Sequence, residues 1–67
     1  MFTLITNTNE YTLNTIEEVV AKANALANNQ LTSFDLECEE KNIYFGFMTK
    51  GQVTVKQMKE WIEEETE

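Results

Sequence analysis

The stretch FDLECEEKNIYFGF, Phe34–Phe47, decides the fold. Phe34, Leu36 and Cys38 alternate with Asp35, Glu37 and Glu39, and Ile43, Phe45 and Phe47 alternate with Tyr44, Gly46 and Met48. A period of two marks strands that bury one face. Folding the chain about Glu39-Glu40-Lys41-Asn42 sets Cys38 against Ile43, Leu36 against Phe45 and Phe34 against Phe47. Each inner apolar residue then meets another, as cross-strand pairing favours. A slip of one residue would turn acids toward the core, so the register is predicted along with the hairpin.

Downstream of the hairpin, Thr54 and Gln57 have the spacing of a helical capping box, and Val53 and Met58 that of a hydrophobic staple. Val55, Met58 and Ile62 form the buried stripe of this second helix. Trp61 lies about 60° from Met58 around the helix, which predicts a half-exposed place at the core margin. Gly51 supplies the preceding turn. Residues 63–67 are expected to fray into an acidic tail.

Upstream, Asn14 or Thr15 can cap a first helix, with Glu17 or Glu18 three residues on. Ile16, Val19, Val20, Ala23, Leu26 and Ala27 fall within an arc of about 120°, one buried face. Glu18 and Lys22 form an i,i+4 pair in the favourable order. Asn28-Asn29 ends the helix, asparagine standing where glycine usually takes the left-handed backbone. Before it, Phe2–Thr6 (FTLIT) is a strand and Asn7-Thr8-Asn9 a turn. Glu10–Leu13 is then either a return strand, with Ile5 opposite Tyr11 and Thr3 opposite Leu13, or an irregular loop. The expected fold is one α+β domain over 1–67: an antiparallel sheet of three or four strands with both helices on one face, βαββα or ββαββα.

Composition narrows the chemistry. The 67 residues carry 12 carboxylates and five lysines, with no arginine and no histidine, for a formal net charge of −7. A chain this short hides only about 60% of the surface it exposes when unfolded. Cys38 has no partner within the chain for a disulfide. A lone thiol without imidazole makes neither a zinc nor a haem site. Nucleophilic triads lack a base, and Cys38, between Glu37 and Glu39, sits where a thiolate is disfavoured. The expectations are therefore no enzyme, no cofactor, no metal and no catalytic residue. Scattered lysines among many acids oppose direct binding to nucleic acid or to anionic membranes. An unpaired thiol, no basic amino-terminal region and no long apolar run lead to a cytoplasmic expectation.

A basic protein surface would be attracted instead. Asp35, Glu37 and Glu39 form an outward acid row. Its spacing of ~6.8 Å is comparable to that of successive phosphates on a nucleic acid strand. Tyr44 and Met48 add exposed aromatic and thioether surface beside it. At the second helix, Glu63, Glu64 and Glu65 crowd the negative end of the dipole. Each misplaced charge there costs about 0.3–1 kcal/mol, so local stability did not dictate the pattern. The expected partner-binding residues are Asp35, Glu37, Glu39 and Tyr44, with Glu63, Glu64 and Glu65 as a secondary contribution.

In size and charge the chain resembles the small acidic inhibitors that bacteriophages and mobile elements direct against nucleic-acid-binding host proteins. The likeness is one of class, and it implies an acidic protein-binding module, in the extreme a nucleic-acid mimic. Seven asparagines and five lysines without arginine suggest an AT-rich coding sequence, which suits such an origin. The alternative is a homo-oligomeric structural or accessory protein, for instance a homodimer, whose core gains from burial between copies.

Overall fold

A computed structural model describes residues 1–66. The element order is β1 (Phe2–Ile5), β2 (Glu10–Leu13), α1 (Ile16–Ala27), β3 (Thr32–Cys38), β4 (Ile43–Thr49) and α2 (Val55–Thr66), with a short 3₁₀ turn at Glu39–Lys41. The four strands form one antiparallel sheet in the order β2-β1-β3-β4. It is the ββαββα version of the expected α+β fold. Its inner face carries Phe2, Leu4, Phe34, Leu36, Cys38, Ile43 and Phe47, and these share one core with Val19, Val20 and Ala23 of α1 and Met58 and Ile62 of α2.

The β3–β4 hairpin has the register the alternation predicts: Phe34 opposite Phe47, Leu36 opposite Phe45 and Cys38 opposite Ile43. Its turn closes through the left-handed backbone of Asn42, whose N–H donates to the Glu39 carbonyl. The Cys38 thiol is buried. The first hairpin differs from expectation by one residue. Leu4 faces Tyr11 and Phe2 faces Leu13, whereas the sequence placed Ile5 against Tyr11 and Thr3 against Leu13. The cause is the Thr6 hydroxyl, which accepts from the N–H groups of Thr8 and Asn9. Together with the bond from the Thr6 N–H to the Asn9 carbonyl, it draws Thr6 out of the strand and lengthens the turn. The register that results is also the better one physically. It brings Tyr11 and Leu13 beside buried Phe2 and Leu4 rather than beside Thr3 and Ile5.

Both helices begin as their sequences require. Thr15 is the N-cap of α1 and completes a capping box with Glu18, and Asn28 ends the helix in the left-handed conformation at φ 48°. The Gln57 N–H donates to the Thr54 hydroxyl, while the Thr54 N–H donates to the Gln57 side chain. Val53 and Met58 are both buried, as a staple requires. Trp61 stands half-buried with its ring 5.5 Å from that of Phe47.

Three local expectations change. Leu26, at the edge of the apolar arc, is exposed. Lys22 lies 4.5 Å above the Tyr11 ring instead of pairing with Glu18, whose carboxylate is occupied by the N-cap. Where 63–67 were expected to fray, α2 continues through Thr66; Glu67 lies outside the described residues.

The two helices are joined by a clamp. The Asn24 side chain donates to the Val53 carbonyl at 2.9 Å and accepts from the Val53 N–H at 3.1 Å. Gly51, at φ 108°, turns the chain into this clamp, and a Cβ there would stand 3.0 Å from the Asn24 carbonyl oxygen. Asn24→Ala removes both bonds and leaves buried Val53 backbone groups unpaired, a loss of ~2 kcal/mol. Asn24→Asp keeps only the acceptor and sets a carboxylate against a carbonyl, so it should not restore the loss. Urea unfolding of the two variants checks this, and a midpoint unchanged by either would contradict it.

Candidate docking face

Because both helices cover the inner side, the other side of the sheet is left open. The pairing places its residues in rows. Thr12, Thr3, Glu37 and Tyr44 lie side by side across the four strands, and Glu10, Ile5, Asp35 and Gly46 form the next row. Ser33 and Met48 begin a third. Adjacent strands lie ~4.8 Å apart and alternate residues ~6.8 Å apart. The carboxylates of Glu10, Asp35 and Glu37 therefore share one face with the exposed side chains of Tyr44 and Met48.

The most detailed contact on this face runs between Asp35, Gly46 and Tyr44. Asp35 lies so close over Gly46 that a Cβ on the glycine would stand 3.0 Å from Oδ1 of Asp35. Any larger residue at position 46 would displace the carboxylate. Tyr44 sits directly opposite Glu37 and diagonal to Asp35. The negative charge of Asp35, and more weakly that of Glu37, holds the Tyr44 phenol above its ordinary value of 10.0. Nearby anions resist formation of a phenolate, so the hydroxyl of Tyr44 stays protonated further into the alkaline range than an ordinary tyrosine.

This arrangement has a pH consequence. The folded state holds the Tyr44 proton more tightly than the unfolded chain does. Its contribution is therefore fully present below the ordinary tyrosine range and is lost as pH rises through the raised value. Asp35→Asn removes the principal cause and should bring the Tyr44 midpoint back toward 10.0. The ring carbons of Tyr44 followed by NMR across alkaline pH measure this. A midpoint unmoved by Asp35→Asn would show that the two side chains do not interact.

The structure separates the residues expected to form one site. Asp35, Glu37 and Tyr44 stand together on the open face. Glu39 does not extend their row, because β3 ends at Cys38 and Glu39 begins the 3₁₀ turn. The regular strand-spaced row is thus two carboxylates long on β3. Glu64 and Glu65 lie on α2, across the sheet, where they border a groove beside Trp61. Glu63, about 200° around the helix from Trp61, points elsewhere. Conversely, Glu10 and Ile5 share the open face and were not foreseen. Their place depends on β1 lying between β2 and β3, a long-range pairing to which local alternation gives no clue.

Among the described residues no three acidic or cysteine side chains converge as a metal ion would require. No helix is long and apolar enough to cross a membrane. Comparison with protein-family models, curated proteins and solved structures yields no match.

Proposed function

We propose that this protein is a non-enzymatic, acidic protein-binding module, an inhibitor or regulator that docks its open sheet face on a basic surface of a partner. The observation that carries the reading is the composition of that face. Asp35 and Glu37 stand beside an exposed tyrosine on a face that also carries Glu10 and an exposed methionine. Carboxylates alone would suffice for solubility. Tyr44 and Met48, each 58% exposed, add the kind of contact area that binding surfaces use. The partner class that suits the charge is a nucleic-acid-binding protein, whose phosphate-binding surface is rich in lysine and arginine. The paired acids of β3 would occupy phosphate positions there, and the compartment suggested by the free thiol is the cytoplasm.

The test is capture from a bacterial lysate on the immobilised protein at low and at high salt. The expected result is a set of basic proteins retained at low salt and released at high salt. Retention of acidic proteins only, or retention indifferent to salt, would overturn the reading. A second reading, a homo-oligomer joined edge to edge, is favoured by β4, whose outer edge pairs with no strand among the described residues. Sedimentation at micromolar concentration separates the two, since a stable, salt-insensitive dimer belongs to the second.

A further inference from the structure

The edge of β4 is unusual in its chemistry. Its seven residues, IYFGFMT, include no charge and no proline, yet the strand ends the sheet. Edge strands ordinarily carry lysine, proline or a bulge that discourages another strand from adding. Here the charges stand only outside the strand, at Lys41 and Lys50. Alongside this edge, on the side of α2, runs an open groove of about 360 Å³. Phe45, Phe47 and Trp61 line it together with Gly46 and Met48 of the strand itself, and Glu64 and Glu65 stand on its α2 side. The rings of Phe45 and Phe47 are 6.2 Å apart, and Trp61 completes a continuous aromatic wall.

From this juxtaposition we infer that the β4 edge and the aromatic groove together bind an extended, lysine- or arginine-rich segment of a partner, added to the sheet as a fifth strand. The uncharged edge offers backbone N–H and C=O groups to the incoming strand. Alternate side chains of that strand then fall toward α2. A long cationic side chain there can lay its alkyl stem on Trp61 and Phe45 and bring its charge to Glu64 and Glu65. Lys41 and Lys50 repel further positive charge at either end, so the cationic residues belong at the middle of the segment. A second copy of this chain is a poorer occupant, because two molecules each of charge −7 repel. The inference shares with the proposed function the premise of a basic partner, but it concerns the β4 edge and its α2 side and meets the open face only at Gly46 and Met48.

The experiment uses the full chain and two blocked peptides with uncharged ends, one alternating lysine with valine at its centre and one alternating glutamate with valine there. Trp61, the one tryptophan, reports on the groove by fluorescence, and amide hydrogen exchange reports on β4. The lysine peptide should shift the Trp61 emission saturably and protect amides of β4, and the glutamate peptide should do neither. Glu64→Lys with Glu65→Lys should weaken the lysine peptide by at least about tenfold. Asp35→Lys with Glu37→Lys changes the net charge by the same amount and should weaken it far less. Circular dichroism confirms that both variants are folded, and Glu64→Gln with Glu65→Gln serves as a milder replacement. The inference is overturned by four results: no response to the lysine peptide at about 1 mM, equal responses to both peptides, equal losses in the two double variants, or a dimer of the protein alone whose β4 amides are already protected. If the sheet-face variant loses the lysate partner but keeps the peptide, the groove stands apart from the docking face.

Discussion

Phe34→Ala is expected to leave no cooperatively folded protein at 25 °C. Phe34 is 2% exposed, belongs to the shared core, and stacks on Phe47 with ring centroids 5.4 Å apart. Removing a buried phenylalanine costs ~3–5 kcal/mol through lost transfer energy and the cavity left behind. A core of this size supplies only about 3–5 kcal/mol of net stability, so the loss equals the whole. Near-ultraviolet circular dichroism and urea unfolding check the expectation, and a variant that still unfolds cooperatively near the wild-type midpoint would contradict it. Phe45 provides the comparison. Strand alternation ranks it with Phe34, but its ring is half-buried at the groove, so Phe45→Ala should cost less, roughly 1.5–3 kcal/mol.

Asp35→Lys combined with Glu37→Lys should abolish binding to the partner, with affinity falling by at least about a hundredfold, while the fold survives. Both side chains lie on the open face, and neither belongs to the core. The change sets two ammonium groups against a basic surface where two carboxylates had been, and like charges across an interface cost several kcal/mol. It also relieves repulsion within a chain of net charge −7, so stability should hold or rise slightly. Tyr44→Ala, by contrast, should weaken binding without altering its salt dependence, because tyrosine contributes contact area and no charge. Circular dichroism and calorimetric titration of a captured partner measure both effects. A double variant that is folded and binds with wild-type affinity would reduce the acidic face to a solvated surface.

What could be read from the sequence was what neighbouring residues decide. The β3–β4 register follows from alternation on both strands, because a slip of one residue turns acids toward the core. The helix starts follow from the spacing of a hydroxyl and a carboxylate at Thr15 and Glu18 and of a hydroxyl and a carboxamide at Thr54 and Gln57, each pair acting within a single turn. The rest depends on contacts distant in the chain or on a single hydroxyl. Thr6 reset the first hairpin by one residue through bonds that composition does not reveal. Asn24 looks like a solvated helix residue until Val53 arrives from 29 positions away. The candidate face divides in the same way. Asp35, Glu37 and Tyr44 were legible because they alternate with core residues. Glu10 was not, because its neighbours come from the central placement of β1. Glu39 left the row because it is the first residue of the turn about which the chain reverses, and the strand alternation does not carry into that turn.

Docking through the open sheet face can be read residue by residue in a titration followed by two-dimensional ¹⁵N–¹H NMR. Labelled protein would be titrated with a basic protein retained in the low-salt capture. The perturbed amides should concentrate at Thr3, Ile5, Asp35, Glu37, Tyr44 and Gly46, and raising the salt should remove the shifts together. Shifts confined to the exposed side of α1, or to α2 alone with the sheet unperturbed, would contradict it.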